Sequence, residues 1–253
     1  MTDALTRIQQ GWHHDPFEWL GLHPARPGYV VRAFMPTAES VELEGIGPMQ
    51  RIDGSDGFEI RLSLQQKDGL SPHYRLCWVE KGSGEQHCTT SPYSFLPILS
   101  DFDLNLFSAG SHLHIYRFLG AHLQNIDGVD GCLFAVWAPN VKRVSVIGDF
   151  NGWHGLRHPM RNRGASGVWE LFIPGLQPGD SYKFEIRSHS DEILHKTDPY
   201  ARAMGLRPDT TSHIAPAENY DWQDSDWLQQ RRQRSWLHEP MSIYEVHAGS
   251  WRR

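Results

Sequence analysis

Nowhere in the 253 residues do about eighteen apolar residues run together, the length a membrane-crossing helix needs. The N-terminus, MTDALTRIQQ, has neither the basic start nor the apolar stretch of a signal peptide, so a cytoplasmic chain with no membrane partner is expected. Cysteine is scarce. Cys77, Cys88 and Cys132 are odd in number, widely spaced and without a C-x-x-C pair, which argues against a disulfide framework or a zinc ribbon and predicts reduced, structural thiols. Positive charge is in deficit: 24 Lys and Arg face 30 Asp and Glu, a net charge of −6, so nothing steers the chain toward nucleic acid and a neutral partner is favoured. Also missing are a G-x-S-x-G elbow, a P-loop and a dinucleotide fingerprint. These gaps predict no cofactor and no catalytic residues. Histidine is plentiful, at 15, yet His13 with His14 and His112 with His114 have no third ligand at a recognised spacing, and no metal site is expected.

What the chain does have is period-two alternation. In SYKFEIR, Tyr182, Phe184 and Ile186 alternate with Lys183, Glu185 and Arg187, the pattern of a strand with one dry and one wet face. GFEIRLSL repeats it with Phe58, Ile60, Leu62 and Leu64, and SVELEG with Val41 and Leu43. Turn clusters such as DGSDG and PGD separate the runs. Many short strands punctuated in this way predict an all-β chain of sandwich architecture. Helices are few: ALTRIQQGW, with Leu5, Ile8 and Trp12 on one stripe; SDFDLNLFSAG, with a Ser100 cap; and DSDWLQQRRQR at 224–234.

The same phrases also occur twice in the same order. FEWLGLH at 17–23 matches YRFLGAH at 116–122, and RAFMPTAESVEL at 32–43 matches AVWAPNVKRVSV at 135–146. FEI, YRL and SPY then answer WEL, YKF and DPY, at offsets that stay near 100 residues, the length of one immunoglobulin-like sandwich. Two tandem sandwiches related by duplication are expected, at 1–97 and 116–220, joined by a helical connector at 98–115. Residues 221–253 read as a linker helix followed by an orphan strand in MSIYEVHAGSWRR, the first strand of a further domain.

The candidate binding residues lie in GDFNGWHGLRHPM. Gly148, Asp149, Asn151 and Gly152 form a surface turn, where an indole is out of place unless it has a use. Trp153 either stacks on a sugar ring, whose axial C–H groups suit the negative face of an indole, or folds back to close the sandwich edge; turn chemistry leaves both open. Asn151 in the turn and Lys183 on the wet face of YKF would supply partners for sugar hydroxyls. Trp169 and Trp137 lie in strands and are expected in the core, and Trp12, Trp19, Trp78, Trp222, Trp227 and Trp236 are assigned to packing. Glu245, in phase with His247, is the one suggestive carboxylate and reads as structural.

The stretches DPFEWLGLH, VWAPNVKRVSVIGDFNGWHGLRHPM, GVWELFIPG, YKFEI, TDPYA and MSIYEVHAGSWRR together resemble the N-terminal part of bacterial 1,4-α-glucan (glycogen) branching enzymes. The resemblance covers essentially the whole chain. It implies an extra N-terminal module followed by a glycogen-binding module of the kind also found in debranching enzymes and in the β subunit of AMP-activated protein kinase. Trp153 and Lys183 match positions that contact glucan in the kinase module. The second stacking tryptophan of that module is replaced here by SHSDEILHK, with Ile193 and Leu194. The family's chemistry implies a retaining transfer of α-1,4-glucan segments to a 6-hydroxyl, on a (β/α)₈ barrel whose first strand is SIYEVH. The chain would then hold and position α-1,4-glucan without turnover of its own. Debranching or trehalose-forming relatives, a free-standing glucan-binding module and a plain spacer are the alternatives.

Overall fold

The computed structural model describes residues 3–216, 221–235 and 237–251. It divides into two compact units, Met1–Ala217 and Glu218–Arg253. The larger holds two β-sandwiches.

In the first, β1 (Gly21–Pro24), β2 (Tyr29–Phe34), β5 (Gln50–Arg51) and β6 (Gly57–Leu62) form an antiparallel sheet in the order β1-β2-β6-β5. The facing sheet orders β3 (Ala38–Leu43), β4 (Gly47–Pro48), β7 (Arg75–Glu80) and β8 (Gln86–Thr90) as β4-β3-β7-β8. Alternation decides what lies between them: Val31, Ala33, Phe58 and Leu62 from one sheet meet Val41, Leu43 and Leu76 from the other. The GFEIRLSL pattern breaks at its end. Ser63 caps helix α2 (Leu64–Asp68) in a capping box with Gln66, which leaves Leu64 exposed at the helix start.

The second sandwich pairs β9 (Gly120–Ile126), β10 (Val129–Trp137), β12 (Arg161–Asn162) and β13 (Val168–Pro174), ordered β12-β13-β10-β9, with a sheet ordered β11-β14-β17-β16. In the latter, β11 is Val141–Gly148, β14 Ser181–Ser188, β16 Ala203–Met204 and β17 Ser212–His213, and β15 (Ile193–Lys196) adds to β14. Phe134, Trp169, Leu171, Val144, Val146, Tyr182 and Phe184 fill the space between the sheets. Every residue of β13 is buried, because the connector covers the sheet's other face: Phe95, Leu99 and Leu104 pack on Leu133, Ala135 and Phe172. Helix α3 (Asp101–Ser108) begins there, capped as expected by Ser100, whose hydroxyl accepts from Asp103 N–H.

The duplication is visible in matched contacts. His23 and His122 each donate from Nε2 to the carbonyl three residues back, Leu20 and Leu119, at 2.9 Å. Gly21 and Gly120 both take left-handed φ values, +98° and +107°, and a Cβ on either would press on the Tyr93 or Tyr200 carbonyl. The glycine of LGLH and LGAH is thus required by the tyrosine of SPY and DPY.

Three expectations are corrected. Cys77 and Cys88 are Cα partners across β7 and β8 and are joined by a disulfide, since adjacent strands bring together cysteines that eleven residues separate in sequence. Cys132 is free and buried, and burial pushes its thiol pKa far up. Trp137 ends β10 and is 55% exposed, edge-on to Phe107: its neighbours Val136 and Ala138 enter the inter-sheet core, whereas Trp137 points to the opposite face, at the edge of the connector's cover. Of the other tryptophans, Trp169 and Trp19 are core residues, Trp78 is half-buried, Trp12, Trp222 and Trp227 are exposed, and Trp236 lies outside the described residues.

In the smaller unit, α4 (Ser225–Gln233) forms as expected. Residues 241–247 form no strand, and Ile243 and Tyr244 are 86% and 75% exposed. Among the described residues none pairs with them, and an unpaired segment has no ladder to hold it extended. Glu245 is exposed as well.

Candidate glucan site on the second sandwich

The loop between β11 and β12 carries Trp153 and folds over the outer face of the β11–β14 sheet. It starts at Gly148, where a Cβ would collide with the Ser181 carbonyl and the Phe150 ring. A single 3-10 turn, Asp149–Asn151, follows, and two residues in left-handed conformation, Gly152 (φ 62°) and Trp153 (φ 58°), end it. Trp153 N–H donates to the Gly148 carbonyl at 2.9 Å, and its indole Nε1 donates to Asp149 Oδ1 at 2.8 Å. A left-handed tryptophan costs about 1 kcal/mol or more, which these two bonds offset.

Asn151 is expected to meet a ligand, but the fold turns it inward. Its side chain is buried, Oδ1 accepts from Gly148 N–H at 3.0 Å, and Nδ2 donates to the Val146 carbonyl and to His158 Nδ1. It holds the turn's shape. His158 is half-buried beside Arg157, and its pKa is pushed down to about 3, first by desolvation and then by that guanidinium.

Trp153 is partly exposed and lines a shallow cavity of about 390 Å³ with Gln10, Gly11, Arg143, Gly155, Glu185, Arg187 and Ile193. Beneath it, β14 presents Lys183, Glu185 and Arg187 on one face, opposite Ile147, Ser145 and Arg143 of β11. Arg143 is ion-paired with Glu185, whose other oxygen lies 3.3 Å from His195 Nε2. Arg143 Nε and Nη1 are buried without a protein acceptor. Lys183, two residues along β14, donates from Nζ to Thr210 Oγ1 at 2.8 Å, which draws in the loop before β17, where Leu206 is 90% exposed.

The Trp153 loop therefore lies over the face of β14 that also bears Lys183, but Lys183 is outside the Trp153 cavity and bonds to Thr210, while Asn151 is buried within the turn. Sequence reasoning missed Arg143, as well as Gln10 and Gly11, which the N-terminal helix α1 (Asp3–Gln9) delivers, whereas Ile193, from the segment that replaces the second stacking tryptophan, does line the cavity. Arg187 donates to the Gln10 carbonyl, and Gly11 lies against the Arg143 guanidinium. The contact joins residues 177 apart, and no local pattern announces it.

The histidine pairs are used locally. His112 lies 3.0 Å from Asp103, and buried His13 has its pKa lowered chiefly by desolvation.

Residues 118–201 match the family described as Carbohydrate-binding module 48 (isoamylase N-terminal domain), and residues 1–93 match the alpha-1,4-glucan branching enzyme GlgB N-terminal domain. The chain belongs to the N-terminal region of the GlgB family. Proteins named 1,4-alpha-glucan branching enzyme GlgB are 53% identical over all of the chain in Methylococcus capsulatus, and 55% over 98% of it in Thiobacillus denitrificans. A third, from Hydrogenovibrio crunogenus, is 50% identical over 99% of it. The chain spans about a third of the length of these curated relatives, 35%, 33% and 34% respectively. A solved pullulanase from Anoxybacillus sp. LM18-11 covers 81% of the chain at 12% identity with a TM-score of 0.33, too distant to bear on the site. The module 48 match contains both Trp153 and Lys183.

Proposed function

We propose that the chain is the glucan-holding front part of a cytoplasmic 1,4-α-glucan branching enzyme, organised as modules at 1–97 and 116–220 with a connector at 98–115 and a trailing segment at 221–253. The parent activity, transfer of α-1,4-glucan segments onto a 6-hydroxyl to form branches, belongs to the whole length of the relatives. The part assigned to these residues is to bind the polymer. Trp153 stacks on a glucose ring, Lys183 gives an N–H to a ring hydroxyl, and Asn151 acts from beneath by holding the turn. Covering about 100 Å² of indole contributes roughly 2.5 kcal/mol at most, so single engagements are weak and rebinding along a polymer makes them sufficient.

The observation that carries this reading is that the Trp153 loop lies over the β14 face that also bears Lys183, inside the span that matches a carbohydrate-binding module. The test is migration in glycogen-containing native gels, with circular dichroism as a folding control. Trp153→Ala is expected to abolish retardation and Lys183→Ala to weaken it. A folded Trp153→Ala chain retarded as strongly as wild type would reduce the second sandwich to a spacer.

A further inference from the structure

The outer face of the β4-β3-β7-β8 sheet carries a second group of chemistry-bearing side chains. Arg75 and Cys77 of β7 lie opposite Thr90 and Cys88 of β8, and Cys77 is also the Cα partner of Glu42 on β3. Glu44, just past the end of β3, brings Oε1 to 3.7 Å from Cys88 Sγ. One ligand atom from each of Glu44, Cys77 and Cys88 falls within 4.8 Å of the others, and Glu44 and Cys88 are exposed. In the structure the two sulfurs are bonded to each other.

We propose that, once this disulfide is reduced, Cys77, Cys88 and Glu44 form a binding site for a thiophilic divalent cation of the zinc class. Reduction by a dithiol transfers two electrons and two protons to the sulfurs while the dithiol closes to its own disulfide. Binding of the ion then releases both thiol protons to solvent. Zinc takes thiolate at about 2.3 Å and carboxylate at about 2.1 Å, so a tetrahedral site needs about 3.6 Å between sulfur and oxygen and about 3.8 Å between sulfurs. The Glu44–Cys88 separation already has that value, and facing cysteines on paired strands reach the sulfur spacing by rotating their side chains. Water takes the fourth position. Charge closes as well. Two thiolates and a carboxylate leave one negative charge around a divalent ion, and Arg75 Nη1, 2.9 Å from Glu44 Oε1, balances it. The oxidised chain has no site, since a disulfide offers no thiolate, so cation binding reports the redox state of this sheet.

The full chain, reduced with a phosphine under inert gas, is titrated with Cd²⁺ and, by calorimetry, with Zn²⁺. One equivalent of Cd²⁺ is expected, with a sulfur-to-cadmium charge-transfer band that is missing from the oxidised protein and lost in both Cys77→Ser and Cys88→Ser. Glu44→Gln is expected to keep the band and bind Zn²⁺ about tenfold more weakly. Buried Cys132 persists in every variant and serves as the internal control. A reduced chain without the band, a band that survives in Cys88→Ser, or wild-type Zn²⁺ affinity in Glu44→Gln each overturns the assignment.

Discussion

Asn151 places three hydrogen bonds inside the turn that displays Trp153, so its contribution to binding is indirect. Asn151→Ala leaves the Val146 carbonyl and the Gly148 N–H short of partners in a buried place. A loss of about 2–3 kcal/mol in urea unfolding is expected, together with weaker glycogen retardation. Its neighbour His158 makes stability depend on pH. The folded protein holds this imidazole neutral down to about pH 3, whereas the unfolded chain protonates it near its ordinary 6.5. The unfolded state therefore binds the extra proton between those values. Stability from this group is complete above about pH 6.5 and falls as pH drops toward 3, by at most about 1.4 kcal/mol per pH unit. Thermal melts of wild type and His158→Gln between pH 7 and pH 4.5 should converge on acidification, and parallel curves would remove His158 as the cause.

At the scale of the element, the Trp153 loop depends on glycines of two kinds. Gly152 faces open space and is needed for its left-handed backbone alone, so Gly152→Ala should cost about 1 kcal/mol. Gly155 lies directly on Glu185, a carboxylate that Arg143 and His195 hold in place, and a Cβ there would overlap it. Gly155→Ala should therefore lift the loop from the sheet. Its melting temperature should fall well below that of Gly152→Ala, and glycogen binding should go with it. The strands around this loop were legible from alternation: SYKFEIR reads its own two faces. The β15 strand was not, since Ile193–Lys196 is exposed throughout and is held by β14 pairing, with no apolar stripe to betray it.

Across the whole larger unit, the sandwiches meet through the same loop. Arg157 donates to Thr37 Oγ1 at 3.2 Å, lies 3.7 Å from Glu80 and stacks over Trp78, all in the first sandwich, while Leu156 packs with Leu5 and Ile8 of α1. The first module thus braces the loop from which the second presents its tryptophan. Arg157→Ala takes the cation from the half-buried Glu80 carboxylate, which keeps the Trp78 Nε1 hydrogen bond, removes the bond to Thr37 and uncovers Trp78. About 2–3 kcal/mol of stability should be lost, and a single calorimetric transition should separate into two as the sandwiches uncouple.

The sequence alone determined the all-β class, the tandem duplication, and the positions of Trp153 in a surface turn and Lys183 on the outer face of its strand, because alternation, turn residues and repeated phrases act over a few residues and are written in order. Only the tertiary structure decided that Asn151 faces inward, that Trp137 stays exposed on the face away from the inter-sheet core and that Cys77 meets Cys88. It alone showed that Gln10 and Gly11 complete the Trp153 cavity. Each of these is set by what another part of the chain places alongside, a partner strand, a sheet edge or a distant helix end, and such neighbours follow from packing that local sequence does not encode.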